Sequence, residues 1–353
     1  MRFRYESLPQ RVLFGTGEAA ANISVALDEL GIRRPLVIAT ERECARALGL
    51  LDGGHAPAAV FTAVRQHVPA ETAAAARELA EECEADGMLG VGGGSTTGTA
   101  KAIALTTGLP IVAVPTTYAG SEVTPVWGMT TDLRKETGSD PRVLPRAVVY
   151  DADLLAGLPN SIAVPSALNA LAHCVEAYWT PKSNPVIAAI ATEGVQALVR
   201  GLRSWSGHDA AIAREQLLYG AFLAGLSFAG AGSGLHHKIC HALGGAFDLP
   251  HAPLHAVVLP HVVAFNSEAA SFAESRVAAA LGSGTARDGL AELYAAVDAP
   301  RTLRQIGLRD DQLDEAIQVV LSRLPIANPR PVTAEGVEQI VRAAFGDIKE
   351  HRE

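Results

Sequence analysis

Positive charge is in short supply in this chain: 29 Lys and Arg stand against 38 Asp and Glu, a formal charge of -9 over 353 residues. That balance offers no basis for holding a nucleic-acid backbone or an anionic membrane surface, and an anionic small ligand would need a local cationic pocket. Cysteine is scarce as well. The four present, Cys44, Cys83, Cys174 and Cys240, are widely spaced and form no CxxC pair, which excludes a disulfide framework and reads as reduced core thiols of a cytoplasmic protein. No window approaches about 18 uninterrupted apolar residues, so no membrane span is expected. The opening Met-Arg-Phe-Arg-Tyr-Glu has no apolar stretch behind it, and no secretory leader is expected either.

What is present is apolar residue, at 48%, with 33 glycines. That composition suits a compact α/β enzyme, and the length suits two domains with separate cores. Over the first 150 or so residues, short apolar runs alternate with helical segments, the pattern of a parallel sheet flanked by helices. Strands are predicted at residues 11–15, 35–40, 58–61, 87–91, 109–115 and 147–150, with helices at 18–30, 69–85 and 92–105. From Ser161 the period is helical almost throughout. Helices are predicted at 165–179, 185–202, 210–228, 232–243, 259–266, 272–280, 311–322 and 333–345. The expected division is an α/β domain over 1–158 and a helical domain over 159–353, with the break at Gly157-Leu-Pro-Asn.

Two segments carry chemistry. Val91-Gly92-Gly93-Gly94-Ser95 stands at a strand-to-helix turn, where glycines let a pyrophosphate approach and the free N–H groups of the helix start suit an anion. Its spacing is not GxGxxG, but the pair Thr116-Thr117 ends the next strand, and ligands of such sheets gather at the carboxyl ends of strands. Lys101, in the helix after the turn, is either a solvated side chain or a cofactor contact. The second segment is histidine: six of eleven fall between His236 and His261. His237 and His241 share a helical face, and His251 follows in a Pro-His turn. His236, His255 and His261 are weaker candidates, and His236 should face away from the His237 and His241 stripe. His55, His67, His208 and His351 are read as ordinary core or surface groups. Upstream, Asn169 and His173 are four apart on one helical face. No carboxylate accompanies them at 169. Three neutral imidazoles and an amide are a poor set for iron or zinc, which argues for a metal-type site without the metal.

The motifs Gly92-Gly-Gly-Ser95, Pro115-Thr-Thr, Ser121-Glu-Val-Thr, Leu158-Pro, Gly234-Leu-His-His-Lys-Ile-Cys-His-Ala-Leu-Gly, Pro250-His251 and Leu259-Pro-His resemble, in order and over nearly the whole chain, those of the iron-containing alcohol dehydrogenase superfamily. The forms Gly-Gly-Gly-Ser-Thr-Thr-Gly, Pro-Thr-Thr-Tyr-Ala-Gly-Ser-Glu, Leu-Asn-Ala-Leu-Ala-His, Leu-His-His-Lys and Asn328-Pro-Arg-Pro331 are similar to its maleylacetate reductase branch. The resemblance implies a Rossmann-like sheet domain followed by an all-helical domain, as in dehydroquinate synthase-like folds. It also implies a homodimer and a site in the cleft between the domains. Metal-dependent members have an Asp ligand where this chain has Asn169; His173, His237 and His251 stand at the other ligand positions, Ala252 replaces a glycine, and Gly98 replaces an Asp.

For that branch the implied reaction adds a hydride from NADH or NADPH to the alkene of a small dicarboxylate and protonates the adjacent carbon, with no metal expected. Histidine is the side chain matched to proton donation near neutral pH. The order of candidates is His241, His251, His237 and His173, with Asn169 as a neutral hydrogen-bond donor. Tyr118, Lys238 and Arg330 are the candidates for the substrate carboxylates. Thr40, after the second strand, should lie near the adenosine ribose; with no acid there both nucleotides should serve, unless Glu41 faces the ribose instead. Two alternatives stay open: a Zn- or Fe-dependent alcohol or aldehyde oxidoreductase, and a nucleotide-binding relative without catalysis.

Overall fold

The computed structural model of the chain describes residues 1–51, 54–131, 134–205, 207 and 209–346; His208 and His351 lie outside them. The chain divides into two compact units, Glu6–Leu158, and Pro159–Glu353 with Met1–Tyr5.

The first unit is built on strands β1 (Arg11–Phe14), β2 (Pro35–Ile38), β3 (Ala59–Phe61), β4 (Gly87–Gly92), β5 (Ile111–Pro115) and β8 (Ala147–Tyr150), with β6 (Val126–Thr131) and β7 (Arg134–Ser139) forming a separate antiparallel pair. The main sheet has the order β1-β8-β5-β4-β2-β3, every pairing parallel. Strands β2, β4, β5 and β8 are buried at every position, as expected of a sheet covered on both faces. Helices α1 (Ala19–Leu30), α2 (Glu41–Gly49), α3 (Ala70–Glu82) and α4 (Gly94–Thr107) connect them. Asp151, just past β8, ties the α1 start to the sheet by accepting from the N–H groups of Gly17 at 2.9 Å and Ala19 at 3.0 Å.

The second unit is helical among its described residues: α5 (Asn160–Ala177), α6 (Pro185–Ser204), α7 (Ala210–Ala231), α8 (Leu235–Phe247), α9 (His251–Asn266), α10 (Ser271–Leu281), α11 (Ala286–Ala296), α12 (Leu313–Leu321) and α13 (Ala334–Phe345). Helix α6 starts as its sequence dictates, with the Asn184 side chain accepting from the N–H groups of Val186 and Ile187 and Pro185 at the first turn. By length and a mean hydropathy of 1.2 this helix could cross a membrane, but half of that window is buried inside the protein, against α5 and α7.

The parallel sheet followed by helices is the fold class predicted. Several elements differ from the sequence reading. Helix α9 starts at His251, eight residues earlier than expected, so His251 opens a helix instead of standing in a turn. The short α2 and the whole of α11 went unpredicted, as did the β6–β7 hairpin, whose second strand, Arg-Lys-Glu-Thr-Gly-Ser, lacks the apolar alternation that marks a half-buried strand. Cys174 and Cys240 are buried, whereas Cys44 and Cys83 are partly exposed and are not core thiols.

Candidate active site

A nucleotide-type turn lies in the α/β unit. Strand β4 runs out through Gly92, whose φ of +157° and contacts leave no room for a side chain: a Cβ there would stand 2.2 Å from Thr96 Oγ1. A Cβ on Gly93 would stand 3.0 Å from Thr117 Cγ2. Gly93 caps α4 with no side chain of its own on the helix, so the first N–H groups of α4, including that of Ser95, meet no capping side chain among the described residues and suit an anion. Thr116 and Thr117 close the adjacent end of β5, as the motif order predicts. Thr40 precedes α2 and makes no side-chain cap there.

Lys101 resolves against the cofactor reading. It is fully buried, and its Nζ donates to the carbonyls of Ser121 (2.7 Å), Thr124 (2.8 Å) and Val126 (2.7 Å), with the hydroxyls of Ser121 and Thr124 at 3.3 and 3.1 Å. The Ser121-Glu-Val-Thr loop, with the Val126 carbonyl, is thus a cage for the Lys101 amino group, whose pKa burial lowers to about 7. Glu122, in the same loop, accepts from the Tyr150 hydroxyl at 2.7 Å. Gly98 lies against Val68; a Cβ would come within 2.8 Å of a Val68 methyl.

The histidines gather in the helical unit. Asp248 ends α8 in the left-handed region, φ +50°, and Pro250 begins α9, so the chain doubles back and sets the start of α9 beside α8. His241 and His251 thereby stack at 6.4 Å between ring centroids, and His255, one turn further, lies 4.4 Å from His251. His237 is 4.8 Å from His173 of α5, 6.0 Å from His241 and 4.8 Å from His255. His237 is buried, His173 partly exposed, and His241 and His251 exposed. Asn169 is buried, with Oδ1 unpaired among the described residues.

One correction follows. His236 does not face away from the cluster. It is buried, its ring lies 5.1 Å from that of His237, and its Nε2 is hydrogen-bonded to His255 Nδ1 at 3.0 Å. Tyr118 is wholly buried in the α/β unit, and Lys238 is exposed while its helix neighbours His237 and Ile239 are buried. Arg330 lies over the Phe265 ring at 4.2 Å and donates to the Phe265 carbonyl. Together with the reciprocal amide bonds of Asn328 and Asn266, this makes Asn328-Pro-Arg-Pro331 a staple on α9.

The residue the sequence reading missed is Glu176. It follows His173 by three on α5, a spacing that places both on one face, and that was the available signal. Fully buried, it accepts the His236 backbone N–H through Oε1 at 2.7 Å and pairs through Oε2 with His237 Nδ1 at 2.5 Å. Its hold on Nδ1 fixes the His237 ring and leaves Nε2, unpaired among the described residues, turned to the cluster.

Burial holds the imidazoles of His236 and His255 well below their usual pKa, and the charges of surrounding histidines add to the shift. Both are therefore neutral in the fold. Between their folded and unfolded values the unfolded chain binds more protons, so stability rises with pH there. Their contribution is present above about pH 6.5 and is lost below it. We expect unfolding free energy to fall by roughly 2 kcal/mol between pH 6.5 and 5.5 from these two groups, and by less in His255→Ala, measured by urea denaturation at each pH.

The family description "Iron-containing alcohol dehydrogenase" matches residues 9–152, and "Fe-containing alcohol dehydrogenase family, C-terminal" matches residues 163–345. The chain belongs to the iron-containing alcohol dehydrogenase family. A maleylacetate reductase of Burkholderia cepacia is 42% identical over 98% of this chain and 99% of its own. The crystal structure of maleylacetate reductase from Agrobacterium tumefaciens superposes with a TM-score of 0.92 at 40% identity, covering 98% and 99% of the two chains. A structure described as an iron-containing alcohol dehydrogenase from Corynebacterium glutamicum does so with 0.93 at 47%, covering 98% and 97%. The chain is an oxidoreductase of the type these reductases represent.

The family name raises iron, and the donors can be tested against it. His236, His237 and His255 bring ligand-type atoms within 4.8 Å of one another, but His236 and His255 are already hydrogen-bonded to each other. The buried carboxylate, Glu176, is spent on His237 and a backbone N–H. Asn169 adds only a neutral oxygen. The trio His236, His237 and His255 is thus already engaged in hydrogen bonds and does not by itself fit a firmly held Fe or Zn.

Proposed function

We propose that this chain reduces the carbon–carbon double bond of maleylacetate to give 3-oxoadipate, with hydride from NADH or NADPH and without a metal ion. The observation that carries the reading is the histidine cluster with Asn169 in place of an acid and Glu176 turned to orienting His237. The full-length similarity to maleylacetate reductases supports the substrate.

The chemistry asks for two additions. Hydride attacks the alkene carbon β to the ketone, the electron pair moves onto the ketone oxygen as an enolate, and the carbon next to the carbonyl then takes a proton. A hydrogen-bond donor must meet the enolate oxygen, and a general acid must supply the proton. Asn169 offers an amide for the first task. We assign the proton to His241, which is exposed to exchange with solvent yet packed on His237 and His251; His173 and His251 border the same space. His237, held by Glu176, fixes the position of His241 and of the substrate.

The second reading, a metal-dependent alcohol or aldehyde oxidoreductase, is favoured by the grouping of His236, His237 and His255. One assay separates the two: consumption of NADH or NADPH with maleylacetate, with the product identified, against small aldehydes under the same conditions. Our reading expects turnover with maleylacetate and formation of 3-oxoadipate. Faster turnover of a small aldehyde would replace it.

A further inference from the structure

We propose that Glu43 is the residue that selects the nucleotide, accepting from the adenosine ribose and rejecting a 2′-phosphate, so that the enzyme uses NADH in preference to NADPH. The inference rests on the reading that a nicotinamide dinucleotide is the reductant. The sheet order locates the crevice. From β2 the chain moves outward to β3, whereas from β4 it moves the other way to β5 and then β8, so the order reverses between β2 and β4. Ligands of open parallel sheets enter at such a reversal, beyond the carboxyl ends of the strands. On one side of this crevice stands the Gly92-Gly93 turn leading into α4; on the other stands the first turn of α2.

The first turn of α2 offers three candidates. Thr40 is neutral and lies just outside the helix. Glu41 is exposed. Glu43 alone of the three is turned across the strand ends: its Oε1 accepts the Thr116 hydroxyl at 2.6 Å at the tip of β5, and its Oε2 would stand 3.0 Å from a Cβ placed on Gly92. A half-buried carboxylate is therefore fixed beside the Gly92 turn by the Thr116 hydroxyl, and it does not depend on the nucleotide for its position. Such a group accepts well from a ribose hydroxyl. A second phosphate brought to it would meet like charge at short range in a partly desolvated site. On this proposal Glu43, and not the neutral Thr40, sets the preference between the two nucleotides.

The test is direct binding of NADH and of NADPH to the full chain, followed by nucleotide fluorescence, in the native protein, Glu43→Gln, Thr116→Val and Glu41→Gln. The native protein should bind NADH at least about tenfold more tightly, 1.4 kcal/mol. Glu43→Gln should shrink that ratio fivefold or more, chiefly by tightening NADPH. Thr116→Val, which frees the carboxylate, should shrink it in part, and Glu41→Gln should leave it unchanged. Affinities equal within twofold in the native protein, a ratio indifferent to Glu43→Gln, or an effect of Glu41→Gln as large as that of Glu43→Gln would each overturn the proposal. Failure to bind either nucleotide would overturn it together with the nucleotide reading. Tight NADH binding without turnover of maleylacetate would count against the reaction alone.

Discussion

His241→Ala is expected to lower the maximal rate with maleylacetate by about 10² to 10⁴, the range for loss of a general acid, with nucleotide affinity unchanged within about twofold. The residue is exposed on α8 between His237 and His251, so its removal opens no core cavity and the loss should appear in the chemical step. His236→Ala provides the contrast. His236 is buried and shares its Nε2 with His255, so truncation strands a polar nitrogen in the core at a cost of roughly 1–3 kcal/mol. Its signature should be a lower melting temperature, with the rate per folded molecule reduced far less than in His241→Ala. Rates at saturating NADH, set beside thermal unfolding of both variants, decide the matter. Equal rate losses would move the proton donor away from His241.

Glu176→Gln should cost a similar amount, by a different route. The carboxylate fixes which ring nitrogen of His237 carries the proton, because Oε2 accepts from Nδ1. An amide at this place can keep the bond to the His236 N–H through its oxygen, but it then presents NH₂ to Nδ1 and drives the ring to its other tautomer. Swapping tautomers at an oriented histidine is costly to catalysis, and we expect a fall of about 10² or more in maximal rate. Glu176→Asp, which keeps the charge on a shorter arm, should recover part of it. A merely structural Glu176 would give variants that melt early yet turn over normally once folded. A Glu176→Gln rate within about threefold of the native one would refute the positioning role.

Much of the architecture could be read from local pattern. Buried β4 and β5 announce themselves as short apolar runs, and the triple glycine at a strand-to-helix turn marks the anion-facing start of α4. The density of histidine around α8 and α9 pointed to a site before any contact was known. What local pattern could not supply is packing between elements. His236 was turned outward on a helical wheel, but α8 meets α9, which begins at His251, and His255 of α9 takes up the His236 ring. Lys101 and Ser121-Glu-Val-Thr look like separate features until the helix and the loop are brought together as amino group and cage. Arg330 was offered to the substrate because it is a cation in a family motif; its guanidinium is committed to Phe265. Glu43 escaped notice because the side chain that crosses the sheet is set by the twist of α2's first turn and by Thr116, which is 73 residues away in sequence.

The central claim is reduction without a metal, and it is tested most directly by assaying chelator-treated enzyme with maleylacetate and NADH while its Fe and Zn are measured by elemental analysis. With Asn169 in place of an acid and Glu176 withheld from the ligand set, the account predicts a native rate at metal contents far below one ion per chain, and no gain when Fe or Zn is returned. Loss of activity on chelation, recovered in proportion to the Fe or Zn restored, would contradict it.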